Sequence, residues 1–163
     1  MRVALALGSN VGDRMNNLRK AVQILDSKGV HVVAKSDIFE TAPLGEVEQT
    51  RFLNACILVE TSMDAFALLN LVKQIEKDMG RIERWRWGPR EIDIDLLLLE
   101  NGECIDDKRL RIPHPEMHRR SFVLVPLNQI AANWVHPQLR VTISSLVETL
   151  KDKDKTLIKI SSL

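Results

Sequence analysis

Apolar and polar positions fall in distinct blocks along this chain. Val3 to Leu7 is a short apolar run, read as a buried strand, and Gly8-Ser9-Asn10-Val11-Gly12-Asp13 breaks it. Leu18, Ala21, Val22 and Leu25 then recur at helical spacing, which predicts a helix from about Asp13 to Ser27 that ends at Gly29. Val30 to Phe39 reads as a second strand, although its apolar positions do not alternate cleanly. Thr41 to Thr50 is polar and turn-forming around Pro43, Leu44 and Gly45. Phe52 to Thr61 predicts a third strand, buried on both faces. Ser62 or Asp64 can cap the next helix, whose apolar stripe is Ala65, Leu68, Leu69, Val72, Ile75 and Met79 before Gly80 stops it. A loop from Arg81 to Arg90 leads to a fourth strand, Ile92 to Leu99.

Beyond a turn at Asn101-Gly102 the signals weaken. A basic stretch, Lys108 to Arg111, precedes Ile112-Pro113-His114-Pro115. Phe122 to Ala132 predicts a short helix interrupted by Pro126, and Val141 to Leu150 a helix with Thr142 as a possible cap. Thr156 to Ile160 predicts a final edge strand. The order β-α-β-β-α-β over residues 3 to 99 is that of a ferredoxin-like unit within the α+β (α/β) class. Later helices on the second face would give three layers and explain a fourth strand that is apolar on both sides after its acidic start.

Composition adds bounds. The 163 residues suit one domain, 1–163, and 45% hydrophobic content suits a globular core. Net charge is +1, which argues against a nucleic-acid partner. Cys56 and Cys104 have no metal-ligand spacing and read as reduced thiols of a cytoplasmic protein. No signal peptide and no membrane span are expected.

The chemistry concentrates where loop meets fourth strand, at Arg86-Trp87-Gly88-Pro89-Arg90-Glu91-Ile92-Asp93-Ile94-Asp95. Side chains two apart on a strand share a face, so Asp93 and Asp95 point the same way, roughly 6.5–7 Å apart along the backbone. Two carboxylates on one face repel unless a cation joins them. Oxygen ligands without nearby His or Cys favour Mg²⁺, which binds through one or two carboxylates plus substrate phosphates. Arg81, Arg84, Arg86 and Arg90 are candidates to grip those phosphates, since guanidinium binds phosphate oxygens bidentately. Gly8-Ser9-Asn10 is a turn that admits close backbone approach but is no Walker A loop. His114 sits between two prolines with Arg119 and Arg120 soon after, a candidate phosphate contact. Phe52 and Asn54 pair a stacking ring with an amide, which is how a flat heterocycle is held. His31, His118 and His136 carry no supporting context. These residues alone leave open a phosphotransferase with another acceptor and a non-catalytic nucleotide- or nucleic-acid-binding module.

Taken together the motifs resemble the 6-hydroxymethyl-7,8-dihydropterin pyrophosphokinase (HPPK) family. The matching features are Leu7-Gly8-Ser9-Asn10, Thr41-Ala42-Pro43-Leu44-Gly45, Phe52-Leu53-Asn54-Ala55, Ile75-Glu76 before Gly80-Arg81, the Arg86 to Arg90 block with Asp93 and Asp95, and Pro113-His114 with Arg120 and Phe122. The resemblance covers about residues 1 to 135. It implies transfer of pyrophosphate from ATP to a reduced hydroxymethylpterin, a step of folate biosynthesis, with release of AMP. It also implies a ferredoxin-like α/β fold and two Mg²⁺ ions; separately, a chain of this length with no extra domain is expected to be a monomer. By position it implies Asp93 and Asp95 as metal ligands and Arg81 and Arg90 as loop arginines acting on ATP in catalysis. Glu76, Trp87, Arg109, His114 and Arg120 match further ATP contacts. Phe52 and Phe122 match rings that sandwich the pterin, and Thr41, Pro43, Leu44, Asn54 and Asp95 complete its site. Two departures stand out: Glu83 occupies a place where the family often carries Arg, and Pro115 one where many members carry Tyr.

Overall fold

The structure, a computed structural model, describes residues 1–41, 51–82, 89–150 and 157–163. In chain order the elements are β1 (Arg2–Ser9), α1 (Arg14–Ser27), β2 (His31–Lys35), β3 (Asp37–Thr41), β4 (Phe52–Glu60), α2 (Ala65–Asp78) and β5 (Asp93–Leu99). They are followed by β6 (Ile105–Asp106), β7 (Arg111–Ile112), a 3₁₀ turn at Met117–Arg119, α3 (Ser121–Ala131), β8 (Val135–His136), β9 (Val141–Thr142), α4 (Ile143–Glu148) and β10 (Ile158–Ser162).

The main sheet runs β10-β3-β4-β1-β5, with β2 also paired to β4, and every pairing is antiparallel. Its central order is the ferredoxin-like one expected from the sequence. The second strand is corrected in one respect: Val30–Phe39 is two strands, not one. The break is Ser36, whose N–H donates to the Cys56 carbonyl (2.9 Å) while its Oγ accepts from Cys56 N (2.8 Å). β2 therefore pairs with the far half of β4 and β3 with the near half. That bend is the physical source of the imperfect alternation.

Each face of the sheet buries its own cluster. Val3, Leu5, Leu7, Leu53, Ala55, Ile57 and Ile94 pack against Leu18, Ala21 and Leu25 of α1 and Leu68, Val72 and Ile75 of α2. Ala4, Cys56, Leu58, Leu97 and Leu98 pack against Leu124 and Leu127 of α3 and Ile143 and Leu146 of α4. The three-layer expectation holds. Both central strands consequently show nearly continuous burial, since neither of their faces meets water.

Local signals largely act as the sequence implies. Asp13 and Asp64 cap α1 and α2 through their carboxylates, accepting from Asn16 N and Ala67 N. Past α2, Gly80 takes φ +89°, and Gly80 N and Arg81 N bond back to the Lys77 and Glu76 carbonyls. This left-handed glycine cap turns the chain sharply and fixes where Arg81 starts. α3 runs through Pro126 without interruption. Val141 and Thr142 belong to the β8–β9 hairpin, and Thr142 caps α4. Both cysteines are free, Cys56 buried and Cys104 exposed. Among the described residues no helix is long and apolar enough to cross a membrane.

Candidate active site

The site lies where the second face of the sheet runs out from under α3. Register fixes which side chains meet there. Gly8 of β1 stands opposite Asn54 of β4 on one side and Asp93 of β5 on the other, and Ala6 stands opposite Asp95. Thr41 of β3 is opposite Phe52. Cross-strand partners share a face. Asp93, Asp95, Asn54, Phe52 and Thr41 therefore all rise from the α3 side of the sheet.

Asn54 is buried, and its Nδ2 donates to Thr41 Oγ1 at 2.7 Å, which orients the amide. A Cβ on Gly8 would meet Asn54 Oδ1 at 3.3 Å and the Phe52 ring at 3.7 Å. Gly8 thus keeps the floor beneath Phe52 and Asn54 low. Phe122, in the first turn of α3, packs against the second cluster, with the Arg120 guanidinium 5.7 Å from its ring centre.

The strand carrying the two aspartates is fastened at its entry. Asn10, itself buried, accepts from Arg90 N through Oδ1 (2.7 Å), and its own N–H donates to the Arg90 carbonyl (3.0 Å). Asn17 Nδ2 reaches the Glu91 carbonyl at 3.1 Å. Gly8-Ser9-Asn10 is therefore a fastening for the approach to β5. The contact spans 80 positions of sequence.

An ion-pair cluster surrounds Asp93. Glu76 is 3% exposed, and its Oε2 accepts from Ile94 N (2.8 Å) and pairs with Arg81 Nη1 (2.7 Å). Arg81 Nη1 also reaches Asp93 Oδ1 at 3.2 Å, and Arg90 Nη1 reaches Asp93 Oδ2 at 3.0 Å. Lys73 Nζ approaches Glu76 Oε1 at 3.8 Å. Burial raises the Glu76 pKa despite its backbone donor and Arg81. Asp95 is pushed from 3.8 up to about 7, first by burial and then by the negative charges of Asp93 and Glu76, with Lys73 and Arg120 opposing.

Asp95 opens onto a cleft of about 280 Å³ along the outer edge of β5. Its cations are Lys73, Lys108, Arg109 and Arg111, and His114 also lines it. His114 N donates to the Leu97 carbonyl (2.8 Å), and its Nδ1 accepts from Glu116 N (3.1 Å), which leaves the proton of the neutral ring on Nε2. Burial and then Arg120 lower its pKa, so the ring favours the neutral form. The Arg109 guanidinium lies over the Phe66 ring at 4.7 Å.

Of the candidate residues, Asp93, Asp95, Glu76, Arg81, Arg90, His114 and Arg120 fall within one electrostatic neighbourhood. Arg109 lines the adjoining cleft, and Thr41, Phe52 and Asn54 form the sheet-end platform near which α3 places Phe122. Pro43, Leu44, Glu83, Arg84, Arg86 and Trp87 lie outside the described residues. The sequence does not mark Lys73, because one lysine on the polar side of an amphipathic helix looks like any other. Asn10 belongs to the Gly8-Ser9-Asn10 turn, but its partner Arg90 is legible only in three dimensions.

The donor set suits a hard dication. Asp93 and Asp95 offer oxygen alone, and the charges of Asp93 and Glu76, which after burial raise Asp95, are of the sign a cation would relieve. Among the described residues no third His, Cys, Asp or Glu groups with them for a closed protein cage. Mg²⁺ is commonly held by one or two carboxylates, with waters and substrate phosphates completing its shell.

A pH test follows from Asp95. An acid whose folded pKa is raised binds its proton more tightly when folded, so its contribution to stability is lost as pH climbs from 3.8 to about 7. With a chelator present, Asp95→Asn should be more thermostable than the parent at pH 8, and the gap should close towards pH 4. Parallel melting profiles across that range would contradict the assignment.

A paired-carboxylate site on an antiparallel α+β sheet, flanked by a cationic cleft and an aromatic-amide platform, suits the chemistry of the phosphoryl-transfer class. Comparison with known proteins narrows this. The 7,8-dihydro-6-hydroxymethylpterin-pyrophosphokinase (HPPK) family profile matches residues 4–132. A 2-amino-4-hydroxy-6-hydroxymethyldihydropteridine pyrophosphokinase of Bacillus subtilis is 47% identical over 127 residues, covering 77% of this chain and 75% of that protein. A Haemophilus influenzae protein of the same name is 38% identical over 149 residues, covering 91% and 92%. A crystal structure of an HPPK-DHPS protein in complex with substrates superposes with a TM-score of 0.72 at 16% identity, over 91% of this chain and 43% of that one. The chain belongs to the HPPK family. By that membership it is a pyrophosphokinase, a transferase.

Proposed function

We propose that this protein transfers pyrophosphate from ATP to the 6-hydroxymethyl group of 6-hydroxymethyl-7,8-dihydropterin, giving AMP and the pterin diphosphate, a step of folate biosynthesis. The observation that carries the reading is the position of Asp95, which borders the cationic cleft and shares a sheet face with Asn54 and Phe52. ATP phosphates fit the cleft and its arginines. A flat, amide-edged heterocycle fits the platform between Phe52 and Phe122, with Asn54 held by Thr41 to read its edge. Pro43 and Leu44 are assigned to the same edge, and Trp87 to the ATP side.

Asp93 and Asp95 would hold Mg²⁺, two ions by family resemblance, supplying charge neutralisation to the phosphate chain. The chain's own groups do the positioning. Arg81 and Arg90 neutralise charge on the phosphate oxygens. Glu76, buried beneath Arg81, aims that guanidinium as well as standing next to the ATP site. His114, Arg109 and Arg120 contact the nucleotide. Pro115 removes the hydroxyl that a tyrosine would supply there, so the cleft cations carry more of the binding.

One coupled assay tests this. Incubation with ATP, Mg²⁺ and reduced hydroxymethylpterin should release AMP in step with pterin diphosphate. ADP as product would indicate an ordinary kinase. Failure to form any nucleotide product, together with tight nucleic-acid binding, would indicate a binding module.

A further inference from the structure

Both carboxylate oxygens of Asp93 face guanidinium groups. Arg81 Nη1 lies 3.2 Å from Oδ1, and Arg90 Nη1 lies 3.0 Å from Oδ2. The two arginines come from opposite ends of the 81–90 segment, and each has an anchor other than Asp93. Arg81 is set by the Gly80 cap and by buried Glu76, and Arg90 by its backbone bonds to Asn10. A cation bound to either Asp93 oxygen, at about 2.1 Å, would sit within about 5 Å of a guanidinium nitrogen, two like charges around one carboxylate.

We infer that Arg81 and Arg90 hold the place of the metal in the nucleotide-free protein, so that a divalent cation gains Asp93 only when a polyphosphate draws the guanidinium groups away. The inference rests on Asp93 as a metal ligand, as assigned under the proposed function. Phosphate oxygens are the better bidentate partners for guanidinium, and they bring their own cation. Arg81 need give up only the Asp93 half of its pairing, because Glu76 stays beneath it as a pivot. Asn10 grips the Arg90 backbone, so the main chain stays in place while the guanidinium exchanges partners. The exchange conserves positive charge at Asp93 throughout: two guanidinium groups leave and a dication arrives. Metal loading thereby depends on the nucleotide, and a metal-only dead-end state is suppressed.

Mn²⁺ binding to the nucleotide-free protein, followed by the electron paramagnetic resonance signal of free Mn²⁺, tests the exchange. Arg90→Gln and Arg81→Gln should each tighten Mn²⁺ binding at least about fivefold over the parent. Asp93→Asn added to Arg90→Gln should erase that gain. Arg120→Gln removes the same charge nearby without touching an Asp93 oxygen, and its effect should be smaller. With a non-hydrolysable ATP analogue present, the parent and Arg90→Gln should converge. An Arg90→Gln affinity equal to the parent's, or a gain no larger than that of Arg120→Gln, overturns the exchange while leaving the metal assignment standing. With the analogue present, a loss of free Mn²⁺ signal no greater than the analogue alone produces overturns both.

Discussion

Asp95→Ala is expected to lower AMP formation on the order of 10³-fold or more while the fold persists. A metal site contributes several kcal/mol to transition-state charge stabilisation, and each 1.36 kcal/mol is tenfold in rate. Asp95 combines the roles that make this loss large. It shares a face with Asp93, borders the cationic cleft and stands opposite Ala6 beside the Asn54 platform. Burial and then the charges of Asp93 and Glu76 work against its ionised form. The same substitution should therefore leave metal-free thermal stability at alkaline pH equal to or above the parent's. Loss of activity without loss of stability distinguishes a ligand from a structural residue. Near-normal turnover in Asp95→Ala, measured as AMP release at saturating ATP and Mg²⁺, would remove the metal assignment.

The second large effect is expected from Arg90→Ala, a slowing of the chemical step by about 10²-fold or more in single-turnover measurements. The backbone of Arg90 is clamped from both sides by Asn10. Truncation should thus leave the main chain in place and remove only the guanidinium. Nucleotide affinity should fall less than the rate, because Lys73, Lys108, Arg109 and Arg111 still line the cleft. A single-turnover rate unchanged from the parent would take Arg90 out of the mechanism. Since Arg90 also covers Asp93 Oδ2, the same variant ties the catalytic reading to the metal-exchange experiment.

Much of the fold is legible because its signals are local. The apolar stripe of α2, its Asp64 cap and its Gly80 stop act within a few residues of one another. The start of the last ferredoxin strand is marked by two aspartates and then leucines, a pattern that periodicity reads directly. The split of the second strand at Ser36 escapes such reading because its cause is the pairing with Cys56 across the sheet. The short hairpins β6–β7 and β8–β9 escape it as well, since two-residue strands have no period. The interruption expected at Pro126 does not occur, as packing of Leu124 and Leu127 into the second cluster outweighs the one lost backbone bond.

The site divides along the same line. Residue types and short spacings by themselves place Asp93 and Asp95 on one face, supply arginines upstream and pair Phe52 with Asn54. Each of these follows from the two-residue repeat of a strand and the chemistry of single side chains. The contacts that give those residues their environments join segments far apart in the chain. Asn10 meets Arg90, Glu76 meets Ile94 and Arg81, Gly8 makes room for Asn54, and Thr41 orients its amide. Only the tertiary structure decides these, because burial and through-space charge depend on which strand lies beside which. For the same reason it alone decides that Asp95 holds its proton up to about 7 and that Asp93 sits between two arginines.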